Sequence, residues 1–201
     1  MSISTYSELQ AAIQDFLNRD DLASVVPTFI SLAEARINRD IRHWKQEKRV
    51  STTLDEQYEN LPSDYIEGIS MSFRNGGQLT NISSAEMQRR KEVSTATGKP
   101  RYLRVIADQF EFYPAPGDAL EIDFTYFAKI EALSDAAPSN WLLSDYPDVY
   151  LYGSLVQSAP YLDEDQRTAT WAALYQSGVD AVNRDNMTGR YVGPLKMGAP
   201  R

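Results

Sequence analysis

Two apolar rows run side by side between residues 149 and 162. Val149, Tyr152, Val156 and Ala159 share one helical stripe and Leu151, Leu155 and Leu162 the next, a face too wide for a helix packed on one side only. This pattern predicts a central helix. Ser144 and Asp145 stand where its N-cap belongs, Pro147 lies in the first turn, Asp148 sits near the positive end, and Pro160 ends it near Ala159. Ser139 and Asn140 lead into a single apolar turn ahead of it, Trp141-Leu142-Leu143, in which Trp141 is expected to be a buried anchor. The same period recurs at Leu9, Ile13, Phe16 and Leu17 behind the capping-box residues Thr5-Tyr6-Ser7-Glu8, and the polar turn Asn18-Arg19-Asp20-Asp21 ends that helix. A second helix is predicted from about Pro27 to Trp44 on the stripe Val26, Ile30, Ala33, Ile37, Ile41 and Trp44, with Phe29 beside it. A last one follows the capping pattern Asp163-Glu164-Asp165-Gln166. It carries Trp171, Leu174, Tyr175, Gly178, Ala181 and Val182 to about Asp185, with Gly178 allowing close approach of a neighbouring helix.

Between the second and central helices the period changes from 3.6 to 2. Val50 to Leu54 and Tyr65 to Phe73 are rich in β-branched and aromatic residues, and Leu120, Ile122, Phe124, Tyr126 and Ala128 alternate with Glu121, Asp123, Thr125 and Lys129. Asn75-Gly76-Gly77 predicts a hairpin turn, Tyr102–Ile106 and Gln109–Tyr113 a second hairpin about Ala107-Asp108, and Ser83-Ser84-Ala85-Glu86 opens a short helix. The predicted fold class is α+β and mostly helical. A helical bundle (1–46 and 131–186) carries an inserted small antiparallel β-sheet domain (47–130), and an aperiodic, flexible tail (187–201) follows.

Composition narrows the function. The chain has 201 residues and no cysteine, which excludes disulfides, thiolate metal sites and a cysteine nucleophile. No apolar run approaches the roughly 20 residues of a membrane span, so no membrane partner is expected. The net charge of −8 is unevenly spread: basic residues dominate 36–49 and 89–104, and acidic ones dominate 108–148, where Lys129 is the single cation. Such segregation suits surfaces that meet partners of chosen sign rather than general nucleic-acid affinity.

Chemistry-bearing residues are sparse. His43 is the single histidine, and it lies beside Trp44 at the basic end of a helix, where a packed imidazole outweighs a general base. Thr97-Gly98-Lys99-Pro100 lacks the spacing and the hydroxyl of a phosphate loop. Glu121 with Asp123, and Asp163 with Asp165, could hold a cation weakly or act as paired acids on a glycoside, although strand-face solvation and helix capping account for both. Arg101, Tyr102 and Arg104 interleave aromatic and basic groups, as single-strand nucleic-acid platforms do, but acidic strands follow at once. No catalytic residue, cofactor or metal is expected.

The segment Phe29-Ile30-Ser31-Leu32-Ala33-Glu34-Ala35-Arg36-Ile37-Asn38-Arg39-Asp40-Ile41-Arg42 resembles the early helix of head–tail adaptor (connector) proteins of short-tailed bacteriophages. So do Phe112-Tyr113-Pro114-Ala115-Pro116 and Asn140-Trp141-Leu142-Leu143 followed by Tyr146-Pro147-Asp148-Val149-Tyr150-Leu151-Tyr152-Gly153. The resemblance spans about residues 5–186. It implies a structural virion protein at the head–tail junction, formed in the host cytoplasm. A ring, commonly of twelve copies, would dock on the portal protein, extend the channel around double-stranded DNA without reading its sequence, and receive the tail or its nozzle. A tail-tube or stopper protein at the same junction is the alternative, and a small carbohydrate-active enzyme using Glu121 or Asp123 is the rival from another class. On this reading Arg36, Arg39 and Arg42 are candidate subunit contacts. Arg190, Tyr191, Val192, Leu195, Lys196 and Arg201 form a candidate portal-binding tail that orders on its partner. The mixed-sign helix surfaces at 27–45 and 164–185 lead us to expect a monomer in isolation that becomes a ring on a portal template.

Overall fold

Thr5 sets the first helix. Its side chain accepts from the Glu8 amide while Glu8 reaches back to the Thr5 amide, which closes the expected capping box ahead of α1 (Tyr6–Leu17). The computed structural model describes residues 3–94, 97–162 and 166–190, with the backbone alone at 20 and 188–190. The chain divides into two compact units, Met1–Gln46 with Ile130–Arg201, and Glu47–Lys129.

In the first unit, α2 (Val26–Asp40), α4 (Trp141–Asp145), α5 (Pro147–Gln157) and α6 (Arg167–Arg190) join α1, while α3 (Ser84–Val93) belongs to the second unit. The helix α5 packs on α1, α2, α4 and α6, the central position its double stripe predicts. Its buried residues are Val149, Tyr150, Leu151, Gly153, Ser154 and Leu155, whereas Tyr152 and Val156 are only half-buried. Leu9, Ile13, Ile30, Ala33, Ile37, Leu142 and Leu143 close the core around it. Burial of each large aliphatic side chain contributes about 1.5–3 kcal/mol before entropy is counted. Gly153 admits the Tyr175 ring, since a Cβ there would lie 3.2 Å from it. At Gly178 the neighbours are Val149 and Asp148 of α5. The close approach at Gly178 is as expected.

Four boundaries differ from the sequence reading, each for a local reason. The cap ahead of the central region is Asn140, whose Oδ1 accepts the Leu143 amide at 2.9 Å, and not Ser144 or Asp145. Tyr146, at φ −137° and ψ 62°, then breaks the helix into α4 and α5. The helix α5 stops at Gln157, and a 3-10 turn at Ala159–Tyr161 follows. The helix α2 stops at Asp40 because Ile41 is extended, which leaves Trp44 exposed in a separate 3-10 turn (Trp44–Gln46) rather than on the buried stripe.

At the other end, α6 runs to Arg190, so residues 187–190 are helical and not the start of an extended tail. Side chains of α6 explain that extra length. Asn183 accepts the Arg42 amide (3.3 Å) and donates to the Asp40 carbonyl (3.2 Å), and Asn186 accepts the Trp44 amide (2.9 Å). One helix thereby satisfies the open backbone groups at the end of another. Residues 191–201, with Tyr191, Val192, Leu195, Lys196 and Arg201, and the pattern at Asp163 and Asp165 lie outside the described residues.

The second unit holds β1 (Glu47–Leu54), β2 (Tyr58–Asn60), β3 (Tyr65–Phe73), β4 (Thr80–Asn81), α3 (Ser84–Val93), β5 (Tyr102–Ile106), β6 (Gln109–Tyr113) and β7 (Leu120–Ala128). Instead of one small sheet there are two, ordered β1-β7-β3 and β2-β6-β5-β4, with β4 parallel to β5 and the other strand pairs antiparallel. The alternation read in β7 is realised: Ile122, Phe124, Tyr126 and Ala128 are buried. The turn at Asn75-Gly76-Gly77 forms with φ of 87° and 102° at its glycines, but it leads only to the Ser72–Gln78 bridge and the two-residue β4. The main partner of β3 is β7, distant in sequence. The β5–β6 hairpin turns at Ala107, with φ 52°. Ser83 caps α3 by accepting the Glu86 amide.

Candidate functional site

The residues from Asn140 to Gly153 are organised by polar groups at helix ends. Besides capping α4, Asn140 donates to the Glu131 carbonyl (2.8 Å) and to the Tyr150 hydroxyl (2.7 Å). Tyr150 is fully buried, and burial pushes its phenol far above the usual range. Glu34 accepts the Leu133 amide at 2.7 Å, and its carboxyl is raised by burial against that bond. These groups fix the path of residues 131–143 over α2. Leu142 and Leu143 are buried as expected, but Trp141 is only half-buried and stacks on His43 at 5.0 Å between ring centres. Lys45 lies over the Trp141 ring and pairs with Asp145.

His43 is buried, its pKa lowered by desolvation against the opposing pull of Asp185. Its Nδ1 accepts the Lys45 amide at 3.2 Å, and its Nε2 faces Asp185 at 3.4 Å. The Tyr146 hydroxyl also donates to Asp185 (2.9 Å); burial and that carboxylate raise the phenol to about 12. Hydrogen bonds from Tyr146 and then His43 hold Asp185 below the usual carboxylate range. A His–Asp pair can serve catalysis only if the nitrogen opposite the carboxylate is free to take a proton. Here a backbone amide occupies it. The imidazole therefore joins the end of α2 to α4 and α6 as a packed, neutral group.

The three candidate interface arginines do not share one surface. Arg36 and Arg39 line a groove between α2 and α6 with Asp40, Gln176, Asp180 and Asn183. Arg36 bonds Asp40 at 3.3 Å and lies 4.5 Å over the Tyr175 ring, and the Tyr175 hydroxyl donates to the same Asp40 at 2.9 Å. Arg39 is exposed. Arg42 instead turns its Nη1 onto the Asn38 and Ile41 carbonyls at the end of α2. Arg190 is the last residue of α6.

The acidic pair on β7 is committed to neighbouring strands. Asp123 pairs with Arg49 (2.7 Å) and accepts from Ser51, and these bonds hold its carboxyl below the usual range. Glu121 pairs with Arg74 at 2.7 Å. Asp123, held low, is a poor proton donor for glycoside cleavage, and Glu121 is committed to Arg74. Among the described residues no group of three His, Asp or Glu side chains is placed to hold a metal, and no helix is long and apolar enough to cross a membrane.

One site escaped the sequence reading. Glu111, in the middle of β6, is fully buried and accepts from Lys91 of α3, Arg104 of β5 and the Tyr58 hydroxyl. Burial would raise its carboxyl, but the bonds from Lys91 and Arg104 outweigh burial and hold it low. Alternation along β6 puts Glu111 opposite Phe110 and Phe112, which reads as a solvent face; α3 covers that face instead.

Comparison with curated proteins returned no significant match. A family model does match, that of the SU10 adaptor protein, over residues 4–198. The match takes in both units and agrees with the resemblance carried by residues 29–42 and 140–153, so the chain belongs to the SU10 adaptor protein family, a family of structural phage adaptors.

Proposed function

We propose that this protein is a head–tail adaptor that docks as a ring on the portal vertex, extends the DNA channel and receives the tail. The observation that carries the reading is the family match over residues 4–198. In this reading the α2–α6 groove with Arg36 and Arg39 meets a neighbouring subunit, and the segment beyond α6, with Tyr191, Val192, Leu195, Lys196 and Arg201, latches onto the portal. A heterologous contact of this kind closes into a ring when the rotation per subunit divides the circle.

Negative-stain microscopy of the protein alone and mixed with portal tests the assembly. Monomers alone and rings on the portal are expected. A stable large oligomer of the isolated protein would remove the template requirement, and absence of density on the portal would overturn docking. A chain ending at Arg190 keeps α6 whole and lacks the latch. It is expected to keep its helical signal and to lose co-sedimentation with portal rings. Full binding by that chain would move the portal contact to Arg36 and Arg39.

A further inference from the structure

The β unit carries opposite charge in two separate places. Where β5 begins and β6 ends, Phe73, Arg90, Lys99, Arg101, Tyr102 and Tyr113 line a groove that also takes in Pro100 and Pro114, with no carboxylate in its lining. Arg90 lies 3.9 Å over the Tyr102 ring, and its Nε is buried without a hydrogen-bond partner, although its Nη2 pairs with Glu86 outside the groove at 2.8 Å. Among the described residues Lys99 reaches only the Gly76 carbonyl (3.0 Å) and the face of Phe73 (4.5 Å). Arg101 is exposed and has no ion-pair partner among the described residues. Three cations converge on aromatic walls with no acid of the same groove to balance them.

The β2 edge of the four-stranded sheet has the complementary fault. The loop from β1 into β2 carries Asp55 and Glu56, and β2 itself carries Glu59, none with a basic partner among the described residues. Asp55 and Glu56 are exposed. Burial raises the Glu59 carboxyl, and repulsion from Asp55 and Glu56 raises it further. A cation brought against this loop would relieve that repulsion.

We propose that the acidic β1–β2 loop of one copy seats in the basic aromatic groove of the next, so that the β units join head to tail. This deepens the ring reading above and rests on it. The contact is heterologous, using a different patch on each copy, which leaves one free loop and one free groove at the ends of any open chain of subunits. Complementary charge sets the register and suppresses pairing of like patches, because two grooves or two loops repel. The aromatic walls add cation–π shielding that keeps Arg90 and Lys99 in place while the site is empty.

The cysteine-free chain makes the contact directly trappable. Glu56→Cys with Gly98→Cys puts one thiol on the loop and one at the rim of the groove, and a Cβ at Gly98 meets nothing within 4 Å. Oxidation of the protein assembled on portal is expected to give a ladder of disulfide-linked multimers. The control pair Glu56→Cys with Asp135→Cys is expected to stay monomeric. In the trapping background, Lys99→Glu/Arg101→Glu or Asp55→Lys/Glu59→Lys should each cut the ladder at least about tenfold. Mixing the two reversed proteins should restore it, because each then meets an opposite patch, and a variant that had merely unfolded would not be rescued. No ladder above the control overturns the proposal, as does a ladder indifferent to both reversals. Retention of double-stranded DNA that depends on Lys99 and Arg101, without a ladder, would overturn it by assigning the groove to phosphate. Rings on the portal without a ladder would sink this contact and leave the adaptor reading standing; absence of both would sink both.

Discussion

In the helical unit the fully buried large residues include Leu9, Ile13, Phe29, Ile30 and Ile37, laid along helical rows around Tyr150 and Tyr175. In the β unit a cluster of rings stands out, the half-buried Tyr65 with the buried Phe110, Phe124 and Tyr126, whose contacting ring centres lie 4.9–6.0 Å apart, from Phe124–Tyr126 to Tyr65–Phe124. The polar groups differ as well. The helical unit places polar side chains at helix ends, through the half-buried Asn140 and Asn183 and the buried His43. The β unit concentrates one charge, Glu111, between two cations. The helical core should therefore fail chiefly through lost packing, with acid entering through His43, whose lowered pKa costs stability as pH falls through the ordinary imidazole range, while the β unit should fail through lost ion pairing at lower pH.

The largest expected effect is in the helical core. Phe29 is 1% exposed, and Phe29→Ala should cost about 3–5 kcal/mol in urea unfolding, with little change between neutral and mildly acidic pH. A loss below about 1 kcal/mol would show that α2 tolerates a void, and would end the claim of close helical packing. Next comes Glu111→Gln. Removing one member of a fully buried pair costs about 3–5 kcal/mol; with Lys91 28% and Arg104 19% exposed, about 2 is expected. The Glu111 pKa is depressed in the folded state, so its contribution is present above the ordinary glutamate pKa and lost as pH falls through the lower, folded value. Wild type should lose stability across that acidic window more steeply than Glu111→Gln. Parallel pH profiles would place the acid sensitivity elsewhere. The smallest effect concerns Gly178→Ala. The new methyl would lie 2.9 Å from Val149 Cγ2 and 3.0 Å from Asp148 Oδ2, and the helix propensity gained offsets part of the clash, leaving a net loss of about 1 kcal/mol. A stabilised variant would mean that α5 and α6 separate readily.

Legibility in the sequence follows the same divide. Rows such as Leu9–Ile13 and Leu151–Leu155 were legible because helical contacts recur every three or four residues, whereas the buried Tyr150 lies on neither stripe read for the central helix. The strand β7 was legible for the analogous reason, its period of two being buried on one face. What alternation cannot state is which distant strand lies beside it. Thus β3 was read toward its own turn at Asn75-Gly76-Gly77, while its ladder is with β7. Glu111 stayed hidden because a strand pattern assigns faces and says nothing of a helix laid across the outer one. Trp141 misled by its size. Its neighbours Leu142 and Leu143 are the buried pair, and the indole covers His43 from outside. The end of α6 was misplaced because its apolar row stops at Val182, and the contact of Asn186 with the Trp44 amide depends on the end of α2 rather than on any periodicity.

The first and last strands of the inserted unit are hydrogen-bonded neighbours, with Glu47 opposite Phe127. The chain thus leaves and returns through adjacent residues, and the ladder clamps that doorway shut. The entropy of closing a loop depends on how far apart its ends can wander, and these ends cannot wander. To the helices, the 47–129 stretch weighs no more than a short turn. A lineage could lengthen, shorten or replace everything beyond the doorway, and so change what this unit touches, while the helical rows that fold the rest remain as they are.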